Sequence, residues 1–132
     1  MIVLDTSAVI ALLDADDPDH VRVKAALTAE RPPFVIAAGS LSEIGYLVER
    51  DFGQRAVAGF LDDLAEGRFT FDCGSGDFSR IRALVLRYED MSLGAADAAV
   101  IACAERSGGR VMTLDRRDFE IVGREVPLTL VP

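Results

Sequence analysis

Histidine and lysine are almost absent from this sequence, and the scarcity of each argues against one class of protein. His20 is the only histidine, which excludes a metal-free ribonuclease that uses two histidines as general acid and base. Lys24 is the only lysine among 14 basic residues. A response-regulator receiver domain needs a lysine near its C-terminal end, and Lys24 lies in the wrong part of the chain for that role.

Net positive charge and long apolar runs are also missing. The net charge of −8 argues against a general nucleic-acid coat, which needs a basic face, but not against an enzyme that reaches phosphates through a bound cation. No apolar run approaches the ~18 residues that span a bilayer, and the N-terminus lacks the basic region of a signal peptide. We therefore expect a cytoplasmic protein that does not insert into membranes, in which Cys73 and Cys103 remain reduced thiols.

Half of the 132 residues are apolar, which is enough for one domain over residues 1–132 with a substantial core. Short apolar strands alternate with amphipathic helices, a pattern typical of an α/β fold around a parallel sheet. The predicted strands cover residues 1–4, 34–37, 69–71, 110–114 and 126–131. The predicted helices cover about 8–13, 40–50, 54–66, 77–88 and 92–107, and one more helix begins at about residue 18.

Two of the predicted strands run directly into an aspartate. Asp5 follows the first strand, and Asp115 follows the fourth. The C-terminal ends of parallel strands meet at the edge where α/β folds bind their ligands. Asp5 also suits the N-cap of the helix after it, so this residue alone leaves both interpretations open.

Two further carboxylates belong to helices that open at the same edge. Glu43 lies in the first turn after the second strand, although the stretch Ser40–Glu43 also matches a capping box. Asp97 shares the apolar face of its helix, where a carboxylate is costly unless it is paired, hydrogen-bonded to a neighbouring loop or bound to a metal. The chain therefore directs four acids to one edge of the sheet.

Four carboxylates held close together repel one another, and a divalent cation resolves that repulsion. Oxygen ligands without histidine or cysteine suit Mg²⁺ or Mn²⁺ rather than zinc. Such a site fits the metal-assisted hydrolysis of a phosphodiester. A haloacid-dehalogenase-type phosphatase is disfavoured because it needs a second aspartate two residues after the first, where this chain has Ser7.

Four segments, in this order, resemble the motifs of PIN-domain proteins. They are Ile2–Ser7, Leu41–Glu43, Leu93–Ala98 and Thr113–Phe119. Each motif is weak by itself, but the ordered set is specific and covers essentially the whole chain. The length of the chain resembles that of the VapC-type toxins of prokaryotic toxin–antitoxin pairs.

The resemblance implies a three-layer α/β/α fold with a central parallel five-stranded sheet, and an Mg²⁺-dependent endoribonuclease toxin that cleaves structured RNA such as tRNA or rRNA. It also implies a homodimer that is inhibited by a small cognate antitoxin protein. By position, the metal-binding and catalytic acids would be Asp5, Glu43, Asp97 and Asp115. Supporting or phosphate-contacting roles would fall to Thr6, Ser7 and Thr113, with Asp118 in a supporting position.

Other interpretations of the same residues remain open at this point. Arg116 and Arg117 flank the predicted site and either contact RNA phosphates or belong to a solvated loop. The alternative function is a non-catalytic PIN-fold module that binds a protein or RNA partner, with the acids as helix caps and ion-pair partners. A DNA-directed flap-type nuclease is a third possibility, but such chains are longer and carry extra acids.

Overall fold

Five parallel strands form one sheet at the centre of the computed structural model, which describes residues 1–132. Strand β1 (Ile2–Leu4) lies in the middle, and its Val3 pairs with Val35 on one side and Val111 on the other. In sheet order the strands are β3 (Thr70–Asp72), β2 (Phe34–Ala37), β1 (Ile2–Leu4), β4 (Arg110–Met112) and β5 (Thr129–Val131).

Seven α-helices cover the two faces of the sheet, which confirms the predicted α/β/α architecture with a parallel five-stranded sheet. None of them is both long and apolar enough to cross a membrane. A single 3-10 turn, Glu89–Met91, precedes the sixth helix. The helices are α1 (Thr6–Leu13), α2 (His20–Ala29), α3 (Ala38–Phe52), α4 (Gln54–Ala65), α5 (Phe78–Arg87), α6 (Ala95–Arg106) and α7 (Arg116–Val122).

Neighbouring residues of the inner strands face opposite sides of the sheet. In β1, Val3 packs into a core shared with α5, α6 and α7, whereas Ile2 and Leu4 pack into a second core with α1, α2, α3 and α4. All three side chains are buried. Because helices cover both faces, every position of β1 must be apolar, and the strand reads as a continuous apolar run rather than an alternating one.

Several helices begin at different residues from those predicted, and the starts of α3 and α6 affect residues of the predicted site. Helix α3 begins at Ala38, so Ser40 lies inside the helix, where its hydroxyl donates to the carbonyl of Ala37 at 2.9 Å instead of capping the helix. Helix α6 begins at Ala95 because Ser92 adopts a left-handed conformation with φ of 56°. The capping-box interpretation of Glu43 is therefore wrong, and Asp97 falls in the first turn of α6.

Close contact between α3 and α6 sets the distance between the helices that carry Glu43 and Asp97. A Cβ atom added to Gly39 would lie 2.4 Å from the Cβ of Ala99, so only glycine allows this approach. Overpacking of this kind costs about 1–3 kcal/mol. We expect Gly39→Ala to lower the free energy of unfolding by that amount, measured by urea denaturation.

Gly45 provides a matched control on the same helix. A Cβ at Gly45 would meet no atom within 4 Å, so Gly45→Ala should stabilise the protein by roughly 0.5–1 kcal/mol through helix propensity. A Gly39→Ala variant as stable as wild type would show that this helix contact does not constrain the two helices.

Candidate functional site

A cleft of about 510 Å³ opens at the C-terminal edge of the sheet, next to the ends of β1 and β4. Asp5 enters it directly after β1, and Asp115 enters it from the start of α7. Glu43 comes from α3 and Asp97 from the first turn of α6. The structure thus brings together all four acids that the sequence pattern directed to this edge.

Asp5 is the most enclosed of these acids, with 4% of its surface exposed. It occupies the N-cap position of α1, but its side chain makes no capping hydrogen bond. Instead the hydroxyls of Ser7 and Thr113 both donate to Oδ2 of Asp5, at 2.9 and 2.8 Å. The side-chain hydrogen bonds therefore hold the carboxylate through one of its two oxygens.

The two hydroxyls also connect Asp5 to the backbone after β4. The backbone N–H of Leu114 donates to Oγ of Ser7 at 2.9 Å, and that of Asp115 donates to Oγ1 of Thr113 at 3.1 Å. Each hydroxyl accepts one hydrogen bond and donates its single proton to Asp5. This arrangement leaves Oδ1 of Asp5 free of side-chain hydrogen bonds and available to a ligand in the cleft.

Burial and hydrogen bonding act on Asp5 in opposite directions. Burial raises the pKa of its carboxyl, and this effect exceeds the lowering that Thr113 and Ser7 provide. The Glu43 carboxylate raises that pKa further. Ser7 and Thr113 thus favour the ionised form at a position that otherwise disfavours charge.

Asp97 carries the strongest sign of mutual repulsion in the cleft. Burial, together with the negative charges of neighbouring acids, raises the pKa of its carboxyl to about 7; these acids are Asp5, Glu43, Asp115 and Asp118. In water an aspartate titrates near 3.8. A carboxylate in this state gains much from a nearby cation, because the cation reverses the sign of the local potential.

The donor atoms suit a hard divalent cation. The carboxylates supply oxygen ligands, and Oγ1 of Thr6, which lines the same cleft, is buried without a hydrogen-bond partner. No three of the His, Cys, Asp and Glu side chains already stand in an arrangement that could hold a metal ion. Repulsion between like charges opposes such a gathering until a cation offsets it, so the chemistry of the cleft fits Mg²⁺ or Mn²⁺.

The remaining sequence candidates lie in different surroundings. Arg116 donates to the carboxylate of Glu120 at 2.9 Å and to the carbonyl of Pro132 at 2.6 Å, and it does not line the cleft. Arg117 is exposed and also lies outside the cleft lining. Asp118 is close enough to raise the pKa of Asp97, although it does not line the cleft.

Sequence reasoning missed several residues that line the cleft. The sequence motifs do not single out Asp17, Arg50 or Asp51, yet all three line the cleft. The spacing of Glu43, Leu47 and Arg50, at i, i+4 and i+7, is the signal that would have placed Arg50 on the same face of α3 as Glu43. The further lining residues are Ile10, Asp17, Leu47, Arg50, Asp51 and Leu114.

Removal of the Thr113 hydroxyl tests the hydrogen bonds that hold Asp5. Thr113 is fully buried, and Thr113→Val keeps its shape but leaves the Asp5 carboxylate and the Asp115 N–H each without one partner. A hydrogen bond to a charged group contributes about 1.5–3 kcal/mol. We expect a loss of that size in the free energy of unfolding at pH 8, whereas Thr113→Ser, which keeps the hydroxyl, should lose less. Equal losses for the two variants would assign the effect to packing alone.

The three-layer fold with a carboxylate-lined cleft at the C-terminal edge of a parallel sheet defines the class of protein. The chain belongs to the PIN domain family, whose model matches residues 2–125. A relative with a named activity is Ribonuclease VapC26 of Mycobacterium tuberculosis (strain ATCC 25618 / H37Rv). It is 34% identical over 119 residues, which make up 89% of this chain and 88% of that protein. The resemblance seen in the sequence motifs is confirmed.

Solved structures of toxins share this fold. VapC20 of Mycobacterium tuberculosis, a Sarcin-Ricin loop cleaving toxin, superposes with a TM-score of 0.83 at 22% identity, over 93% of this chain and 95% of VapC20. VapBC2 from Rickettsia felis, bound to a DNA fragment from the promoter, gives a TM-score of 0.70 at 18% identity, over 98% and 97% of the two chains. At such identities the similarity concerns the fold.

Proposed function

We propose that this protein is a metal-dependent endoribonuclease that hydrolyses phosphodiester bonds in structured RNA as the toxin of a toxin–antitoxin pair. The observation that carries the proposal is the cleft itself, in which a PIN-family chain gathers Asp5, Glu43, Asp97 and Asp115. The similarity to Ribonuclease VapC26 supports RNA as the substrate. We assign the domain to residues 1–132.

The four acids are the proposed metal ligands and catalytic residues. PIN-domain ribonucleases generally depend on a divalent metal ion, and the oxygen-only donors of this cleft suit Mg²⁺ or Mn²⁺. When bound, the cation lowers the pKa of a water molecule and stabilises negative charge on the phosphodiester oxygens.

The chain's own residues prepare the cleft for that chemistry. Ser7 and Thr113 keep the Asp5 carboxylate ionised and oriented through Oδ2. Asp97 lies near four other acids and should release its proton when a cation is present, because the cation offsets the repulsion that contributes to its raised pKa.

The proposal also includes a cognate antitoxin protein that inhibits the toxin, and a homodimeric state. The protein would act in the cytoplasm, where its RNA substrate is found. The supporting observation is that structural neighbours of this fold include toxin–antitoxin complexes. Expression without the antitoxin should arrest growth, and co-expression with it should relieve the arrest.

Incubation of the purified protein with total cellular RNA tests the activity directly. With Mg²⁺ present we expect discrete cleavage products, which EDTA should abolish and added Mn²⁺ should restore. The metal is required because the cleft without a cation is strongly anionic and repels the RNA backbone. RNA that stays intact with folded protein in both Mg²⁺ and Mn²⁺ would instead support a non-catalytic binding module.

A further inference from the structure

One basic side chain, Arg50, lines the otherwise acidic cleft. Its surroundings are strongly anionic, and the whole chain carries a net charge of −8. An RNA strand that enters such a cleft meets repulsion at every phosphate except where a cation neutralises it. The carboxylates that line the cleft are Asp5, Asp17, Glu43, Asp51, Asp97 and Asp115.

Helix α3 places Arg50 on the same face as Glu43. The two residues are separated by seven positions, with Leu47 between them, and all three line the cleft. Residues at i, i+4 and i+7 share one face of a helix, and seven residues span about 10 Å along its axis. The backbone of Arg50 therefore lies about 10 Å along the helix from that of Glu43, on the same wall of the cleft.

Asp51 holds the Arg50 guanidinium in place. Nε of Arg50 donates to Oδ1 of Asp51 at 2.8 Å, and Nη2 donates to Oδ2 at 3.1 Å. Two of the five N–H groups of the guanidinium are used in this way, so three remain for a ligand. Both side chains are exposed, at 57% and 39%, and an exposed ion pair contributes little to stability. In the structure, the ion pair directs one edge of the guanidinium at Asp51 and leaves Nη1 without a hydrogen-bond partner.

We infer that Arg50, oriented by Asp51, binds an RNA phosphate adjacent to the one that is cleaved. The inference rests on the proposed function and names a substrate-binding residue for it. A guanidinium matches the geometry of a phosphate through paired N–H donors. Arg116, the sequence candidate for phosphate contact, does not line the cleft, whereas Arg50 does.

Binding of a fluorescein-labelled RNA hairpin with a randomised loop tests this assignment. Affinity is measured by anisotropy in Ca²⁺ over a range of salt concentrations, with a gel check that the probe stays intact. For Arg50→Met we expect Kd to rise about 5–10-fold, and the slope of log Kd against log salt to fall by about 0.7, the value for one phosphate contact in single-stranded nucleic acid.

Arg68→Met is the matched control. Arg68 is also an exposed arginine, 59% accessible and paired with Asp63 and Glu66, but it lies outside the cleft. The Arg68→Met substitution removes the same charge from the protein and should leave both the RNA affinity and the slope of log Kd against log salt unchanged. An unchanged Kd and slope for Arg50→Met, or an equal loss for Arg68→Met, would overturn the inference.

Cleavage kinetics separate the failure of this inference from the failure of the proposed function. If the wild type cleaves RNA in Mg²⁺, Arg50→Met should raise KM about 5–10-fold with little change in kcat, since the contact is made in the ground state and the transition state alike. If the variant cleaves RNA with an unaltered KM, the role of Arg50 is rejected and the proposed nuclease activity stands. If RNA binding depends on Arg50 but no RNA is cleaved, the proposed nuclease activity is rejected and the role of Arg50 in binding stands. No RNA binding by the wild type would reject both.

Discussion

Asp97→Asn should reduce the rate of RNA cleavage by about 10³-fold or more, equivalent to ~4 kcal/mol of transition-state stabilisation, while making the metal-free protein more stable. The activity falls because asparagine keeps the shape of the side chain but loses the charge that holds a cation. The stability rises because burial and four neighbouring acids raise the pKa of Asp97 to about 7. At pH 8 the native state therefore carries a carboxylate that its surroundings disfavour.

The expected gain in the free energy of unfolding is about 2 kcal/mol at pH 8 in EDTA, as an order of magnitude. Urea denaturation and a gel assay with total RNA measure the two effects on the same preparations. Asp62→Asn is the control, because Asp62 is an exposed acid on α4 outside the cleft, and it should change neither quantity. Stability lost in parallel with activity would mean that Asp97 serves the fold rather than the reaction.

Ionisation of Asp97 should lower the free energy of unfolding of the metal-free protein as pH rises, and Mg²⁺ should offset this loss. The pKa of Asp97 is about 7 in the native state against an ordinary value of 3.8. A raised carboxyl pKa means that the native state binds the proton more tightly than the unfolded chain does. The penalty for ionising Asp97 therefore begins above pH ~4 and is complete above pH ~7, at about 2–4 kcal/mol.

The comparison of wild type with Asp97→Asn isolates this contribution from other titrating groups. In EDTA the stability of the wild type relative to the variant should fall as pH rises from 4 to 8. Addition of Mg²⁺ at 100 times its dissociation constant stabilises the native state by about 2.7 kcal/mol, and it should do so for the wild type at pH 8 but not for the variant. Parallel curves in EDTA, or equal stabilisation of both proteins by Mg²⁺, would contradict the assignment of Asp97 as a ligand.

The positions of the acids could be predicted from sequence because each follows from a local pattern. Asp5 and Asp115 come after apolar segments that read as buried strands, and parallel strands end at a common edge. Asp97 stands out because a carboxylate on the apolar side of a helix needs a partner. These rules depend on the period of strands and helices, which the sequence carries directly.

The details that sequence could not supply depend on packing across the fold. Helix α3 begins at Ala38 and approaches α6 closely at Gly39 and Ala99, and no capping pattern reveals either feature. Helix α7, from Arg116 to Val122, was not predicted, since its seven residues are held by the burial of Phe119 and Val122. The engagement of Arg116 by Pro132, 16 residues away in the chain, likewise requires the folded structure.

The location of a bound cation tests the central claim most directly. Crystals grown with Mn²⁺, with diffraction data collected at a wavelength where manganese scatters anomalously, report the position of the ion without any assumption about the substrate. The account predicts an anomalous peak in the cleft within direct ligand distance of Asp5 and Asp97, and its absence from crystals of Asp97→Asn. A wild-type cleft without such a peak, or manganese bound only elsewhere on the protein, would contradict it.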